Sequence, residues 1–237
     1  MVIAMRQNGP TFEVRKLPVG DPPPGDEFYP PSPANLPTCT DQSLEECLSD
    51  YEKLLHELGM DLETCLQKGL SDKELDAIEK TYNVKLSRDI RLLYKWHNGT
   101  PNGMDARVFP SGRFLPLDYS LASKNMRRVN SRDPRVKQWV DEMLAFQKSW
   151  IEIIMNDSGD GLFFDPERID QPSSLFHHCH DDVSYDFYPC LANYIASLLE
   201  LHRSGHVDCV ESRIEVTYQW SYDEETAYVN RFGRRVE

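Results

Sequence analysis

Apolar residues recur at three- and four-residue spacing through Leu44, Leu48, Tyr51, Leu55 and Leu58, which predicts one amphipathic helix that Gly59 can close. A second helix is predicted to start at Ser71. Glu74 follows three residues later, so the two side chains can satisfy each other's free backbone amides, while Leu70 and Leu75 occupy the positions of a hydrophobic staple. A third helix covers about 87 to 97, with Ile90, Leu93, Tyr94 and Trp96 along one stripe and Asn98-Gly99 as its left-handed stop. Beyond Gly99 the pattern changes to short strands, Arg107-Val-Phe109 and Arg113 to Leu117, about the turn Pro110-Ser-Gly112. Asp133-Pro134 then opens a helix whose Val136, Trp139, Val140, Met143 and Leu144 share a face.

Strands follow that helix. Ile151 to Met155 and Leu162 to Phe164 flank six turn-forming residues, Asn156-Asp-Ser-Gly-Asp-Gly161, so a hairpin is the simplest connection. Leu175 to Cys179 adds a further strand, and Pro189 to Arg203 is helical up to Gly205. Ile214 to Trp220 alternates outward Glu215, Thr217 and Gln219 and can extend the sheet, with Asp223 to Arg231 as a last short helix. Helices first, hairpin strands next and a closing helix predict an α+β fold, with a largely antiparallel or mixed sheet packed by helices.

Proline use changes the domain picture. Nine of the 16 prolines lie between Pro10 and Pro37, a density that removes ladder donors and favours extended backbone. Residues 1–40 are therefore read as a Pro-rich N-terminal arm, 41–204 as the α+β domain including the helix at 43 to 58, and 205–237 as a C-terminal extension. Pro30-Pro-Ser-Pro33 satisfies P-x-x-P, which leaves a docking motif as the alternative to a plain arm.

Charge and cysteine use narrow the partners. The net charge of −13 repels phosphate backbones, and Arg127, Arg128, Arg231, Arg234 and Arg235 are too sparse for a basic patch, so no nucleic acid is expected. A cationic protein surface is better matched. The six cysteines form no C-x-x-C pair, and with no apolar run resembling a signal peptide they read as free thiols in a cytoplasmic protein. No apolar stretch approaches the roughly 20 residues of a membrane span, so no membrane is expected either.

Three stretches in this order resemble the SUKH superfamily, which takes in yeast Smi/Knr cell-wall regulators and bacterial immunity proteins. The first runs from Glu74 to Tyr82 into Leu86-Ser-Arg-Asp-Ile-Arg-Leu-Leu-Tyr-Lys-Trp-His-Asn-Gly99. The second is Phe114-Leu-Pro-Leu117 leading into a helix. The third is Trp150-Ile-Glu-Ile-Ile-Met-Asn-Asp-Ser-Gly-Asp-Gly-Leu-Phe-Phe-Asp-Pro166, similar to the family's apolar strand, Gly/Asp turn and second strand ending in an acid. Leu175 to Asp182 and Cys190 to Leu199 resemble the following strand and closing helix, so the likeness covers about Leu70 to Leu201. The resemblance implies a protein-binding scaffold with no catalytic residues. It also implies one of two roles, immunity to a toxin, often a nuclease whose basic surface suits this charge, or a regulatory scaffold in a multiprotein complex.

Two clusters invite metal chemistry. Asn156, Ser158, Asp160, Gly161 and Glu167 fall at positions 1, 3, 5, 6 and 12 of a calcium-type loop, but Asn leads it, Pro166 crowds its exit, and the preceding run is a strand, which favours a tight hairpin. In His177-His-Cys-His-Asp-Asp182, His178 and His180 share one strand face as a possible H-x-H pair without a third ligand, and local hydrogen bonding is the preferred alternative. No cofactor or small-molecule substrate is called for. The chain lacks a G-x-S-x-G elbow, a phosphate-binding Gly loop and an H-E-x-x-H helix, so it is not expected to be an enzyme. Binding is expected through a sheet face and the loops Gly99 to Gly112 and Asn156 to Gly161. The candidate contacts are Asn98, Asp105, Asp157, Asp160, Asp181 and Asp182.

Overall fold

A computed structural model of the chain describes residues 42–110, 112–124, 150–156, 161–166, 175–178, 185–216, 228, 229 and 231–236. Ser43 and Ser71 begin helices α1 (Leu44–Glu57) and α3 (Asp72–Tyr82) in the same way, each hydroxyl accepting from the third residue's amide while that residue's carboxylate, Glu46 or Glu74, accepts from the serine amide. The helix read at Ser71 is therefore present, and the box at Ser43 is a second instance. Between them the short α2 (Leu62–Cys65) turns the chain. Helix α4 (Arg88–Trp96) starts at the Ser87 hydroxyl, which accepts from the Ile90 amide.

The end of α4 differs from the expected left-handed stop at Asn98-Gly99. His97 leaves the helix in extended conformation and bridges to Lys68, because the chain must run beside the 67–69 segment before turning. The left-handed residue, Gly99 with φ +75°, comes two positions later, where the chain turns against Leu115 and Pro116.

A six-stranded antiparallel sheet in the order β1-β2-β3-β4-β5-β8 lies on these helices, built from β1 (Arg113–Phe114), β2 (Ile151–Met155), β3 (Gly161–Phe164), β4 (Leu175–His178), β5 (Tyr185–Tyr188) and β8 (Arg234–Val236). The predicted hairpin is β2–β3, with Ile151 opposite Phe164 and Met155 opposite Gly161. A register shift between Glu152 and Ile154 inserts Ile153 as a bulge, so Ile153 and Ile154 are both buried. Ile151, Phe164, Leu175 and Tyr188 form one row across the sheet and join the helical core, where Tyr188 packs edge-on to Tyr194 at 5.3 Å. Phe163 and Phe176 lie on the other face, where Trp150 stacks on Phe176 at 3.8 Å. The sheet is thus buried on both faces at its centre, which explains why β2 and β3 read as apolar runs rather than alternating ones.

Helix α5 (Leu117–Lys124) follows β1, and α6 (Leu191–Arg203) closes the domain against α1. The described part of the segment expected to extend the sheet does not do so. Arg213 to Val216 is strand β7, which pairs with β6 (Val207–Val210) in a separate two-stranded ribbon, anchored by the Arg107 amide donating to Ser212 O and the Ile214 amide to Arg107 O. Of the strand expected over Arg107 to Phe109, single bridges from Arg107 to Arg213 and from Phe109 to Gly112 are present. Arg107 is drawn to the ribbon and Phe109 into the core. Residues 228, 229, 231 and 232 are helical, and Asn193 Nδ2 donates to Phe232 O at 2.7 Å, which seats the end of the chain on α6. The helix expected from Asp133 and the Pro-rich arm lie outside the described residues.

Helix α3 is held to α4 by Arg91, which reaches Asp76 at 2.8 Å, Glu79 at 3.0 Å and Asp72 at 3.3 Å, with Lys95 on Asp72 at 2.9 Å. Hydrogen bonds from Ser71 hold the Glu74 carboxyl below its ordinary value of 4.5, and those from Ser43 do the same for Glu46. A carboxyl depressed in the folded state contributes stability that is present above its unfolded pKa and is lost as pH falls through its folded pKa. Urea midpoints are therefore expected to fall on acidification below about pH 4.5, and Glu74→Gln is expected to flatten that slope, in a series from about pH 6 to about pH 3.

Candidate functional site

Two buried tyrosines position the surface formed by the 99–119 segment. The Tyr51 hydroxyl on α1 donates to Val108 O at 2.6 Å, and the Tyr94 hydroxyl on α4 donates to Leu115 O at 3.2 Å. Burial pushes both phenols up, so they remain neutral donors at any physiological pH. Phe109 anchors the same segment from below. Its ring stacks on Tyr51 at 5.4 Å, meets Phe114 edge-on at 5.8 Å, and lies 6.1 Å from Tyr194 on α6.

The backbone above this anchor is equally constrained. The Thr100 amide donates to Phe114 O at 2.7 Å and the Leu115 amide to Ile153 O at 2.8 Å, so the loop covers the outer side of β1 while β2 holds its inner side. Gly112, at φ +138°, runs so close to the Met155 carbonyl and the Asn156 nitrogen that a Cβ there would overlap them. The 99–112 loop singled out in the sequence therefore ends against Met155 and Asn156, where β2 finishes.

Between the loop and α5 lies a cleft of about 120 Å³ lined by Thr100, Pro101, Asn102, Arg113, Phe114, Leu115, Pro116 and Tyr119. Tyr119 is 40% exposed and, with Val210, is one of the two large apolar side chains left exposed among the described residues. Such a side chain, rigid and amphipathic, is typical of a protein contact. Sequence reasoning missed this cleft because Arg113 and Tyr119 sit on different elements with no shared spacing.

Two predicted contact residues also have structural duties. Asn98 Oδ1 accepts from the Leu117 amide at 3.1 Å and so caps the start of α5. Asp105 pairs with Arg213 and lies 3.6 Å from Arg107 Nε, binding the loop to the β6–β7 ribbon. Asn156 ends β2 and is half-buried, and His178 pairs through its backbone with Gly161 and Tyr185. Asp157, Ser158, Asp160, Glu167, His180, Asp181 and Asp182 lie outside the described residues.

Among the described residues no group of three His, Cys, Asp or Glu could hold a metal ion, and no helix is long and apolar enough to cross a membrane. Cys47, Cys65, Cys190 and Cys209 are free thiols, and burial raises that of Cys47 to about 11, far from a reactive thiolate.

Residues 69–197, more than half of the 237-residue chain, match the model of the SMI1 / KNR4 family (SUKH-1). The chain belongs to that family. No curated protein matches it. The SUKH-1 match begins just before α3 and ends within α6, so it takes in the cleft and the sheet from β1 to β5. Helix α1, the β6–β7 ribbon and β8 fall outside it. Yet α1 supplies Tyr51 to the anchor, and β8 pairs with β5 as the sheet's last strand, so the SUKH-1 core of this chain is completed by flanking segments.

Proposed function

We propose that this SUKH-1 domain is a non-enzymatic protein-binding module that neutralises a basic toxin, with the cleft and the exposed Tyr119 at the centre of its contact surface. The cleft carries the reading. At about 120 Å³ it is well below the roughly 300–1,000 Å³ of sites that bury a small molecule, but it matches a single inserted side chain. The charge of −13 adds long-range attraction to a cationic partner, which speeds encounter and repels nucleic acid.

A regulatory scaffold is the second reading, and P-x-x-P at Pro30 to Pro33 favours it because such segments join assemblies. The two predict different outcomes when the chain is co-expressed with toxin domains encoded beside its gene. An immunity protein restores growth against one of them and co-purifies with it at one-to-one stoichiometry. Growth arrest with every neighbouring toxin, together with several weakly held partners on affinity capture, would replace the immunity reading with the scaffold.

A further inference from the structure

The cleft holds a cation that the described part of the fold does not use. Arg113 lines it from the edge strand β1, half-buried, and among the described residues nothing hydrogen-bonds or ion-pairs with its guanidinium. This sets it apart from the other arginines whose side chains are described. With 39 acidic against 26 basic side chains, acids are in excess, and Arg91, Arg107 and Arg213 are each engaged by one or more of them. The walls around Arg113 are stiff and offer little competing charge: Pro101 and Pro116 fix the backbone on either side, Thr100 is buried with its hydroxyl donated to Ala106 O, and Tyr119 closes the rim. A planar fork of donors at the side of a narrow, partly apolar notch is suited to a carboxylate, which it can grip with two parallel hydrogen bonds.

We propose that Arg113 receives an aspartate or glutamate side chain projected by the protein partner, so that this cleft reads one acidic residue within an otherwise basic contact surface. The proposal rests on the protein-binding reading above and deepens it. Free phosphates and nucleic acid fit less well, because the field of a −13 chain opposes their approach, whereas a net-basic partner is drawn in and delivers its acid at contact range. The room available points the same way, since about 120 Å³ accommodates one side chain and not a nucleotide. Shielded by the two prolines and Tyr119, the pair would be the kind of desolvated contact that concentrates binding energy in a few residues.

The test uses the full chain, isotopically labelled, and a capped tripeptide, acetyl-Gly-Glu-Gly-amide, with its Gln counterpart as control. The Glu peptide should produce saturable shifts of the Arg113 Nε–H and of the Asn102 and Tyr119 amides. The Gln peptide should weaken binding at least tenfold, as should Arg113→Gln, and Arg113→Lys should recover part of it. Shifts that are equal with both peptides, persist in Arg113→Gln or are absent would overturn the proposal. Stronger saturation of the same resonances by inorganic phosphate would overturn it in favour of a phosphate ligand. Unchanged spectra elsewhere show that Arg113→Gln still folds. Partner capture separates the two levels: equal capture by wild type and Arg113→Gln sinks the cleft proposal alone, whereas no capture by either sinks the protein-binding reading, while the peptide result still decides the cleft.

Discussion

Phe109→Ala is expected to destabilise the domain by about 3–5 kcal/mol, the range for removing a large aromatic side chain from a packed core. Phe109 is 1% exposed and is the ring at which α1, β1 and α6 converge, through Tyr51, Phe114 and Tyr194. It also sits on an irregular segment, held by the Tyr51 hydroxyl on Val108 O next door and by the Gly112 amide donating to Phe109 O. Its loss therefore leaves a cavity and also frees the loop that walls the cleft. Urea unfolding should show the drop in midpoint, and Phe109→Leu, which keeps much of the volume, should cost markedly less. A loss below about 1 kcal/mol would show that the aromatic cluster is not the keystone assigned to it.

Gly99→Ala is expected to cost about 2–5 kcal/mol, from two separate penalties. At φ +75° an alanine carries the left-handed strain of about 1–2 kcal/mol. Its methyl would in addition overlap the Leu115 carbonyl and the Pro116 nitrogen, a backbone contact that can be relieved only by moving β1 away from the loop, adding about 1–3 kcal/mol. The Gln67 amide, which donates to Gly99 O at 2.8 Å, would be strained by the same movement. Gly103→Ala serves as the comparison. Its φ of +82° is as unfavourable, but nothing lies near its missing Cβ, so it should show the strain penalty alone. Equal losses at the two glycines in thermal or urea unfolding would rule out the close approach.

These two residues also show where the sequence stops being informative. Local chemistry was legible: the capping box at Ser71 and Glu74, the apolar stripe from Leu44 to Leu55 and the apolar strand, turn and strand from Trp150 to Phe164 each encode their element within a few residues. Order along the chain then pointed to the SUKH fold. Non-local pairings were not legible. Tyr185 to Tyr188 is too short to show a period, and Arg234 to Val236, with two arginines in three residues, resembles an exposed tail until its pairing with β5 is known. The pairing of Ile214 with the sheet was expected because its alternation fits any half-buried strand; the tight turn at Glu211 and Ser212, both with positive φ, folds it back on Val207 to Val210 instead.

The partners of the candidate contacts were hidden for a related reason. Asn98 and Asp105 stand out in the sequence only as polar residues on predicted loops, whereas an amide next to a helix start and an acid near two arginines also find partners within the chain. Arg113 and Tyr119 carry no such mark in the sequence. Their significance comes from what surrounds them: among the described residues one guanidinium is left without an acid and one ring is left at the surface.

Photocrosslinking from this surface tests the central claim most directly. A benzophenone amino acid placed at Tyr119, and in parallel at exposed Lys80 on α3, is irradiated in cells producing the full chain. A protein bound through the cleft face should yield one discrete adduct from position 119, of the same identity in repeat experiments by mass spectrometry, and none from position 80. No adduct at 119, or the same adducts from both positions, would contradict the assignment of this face as the binding site.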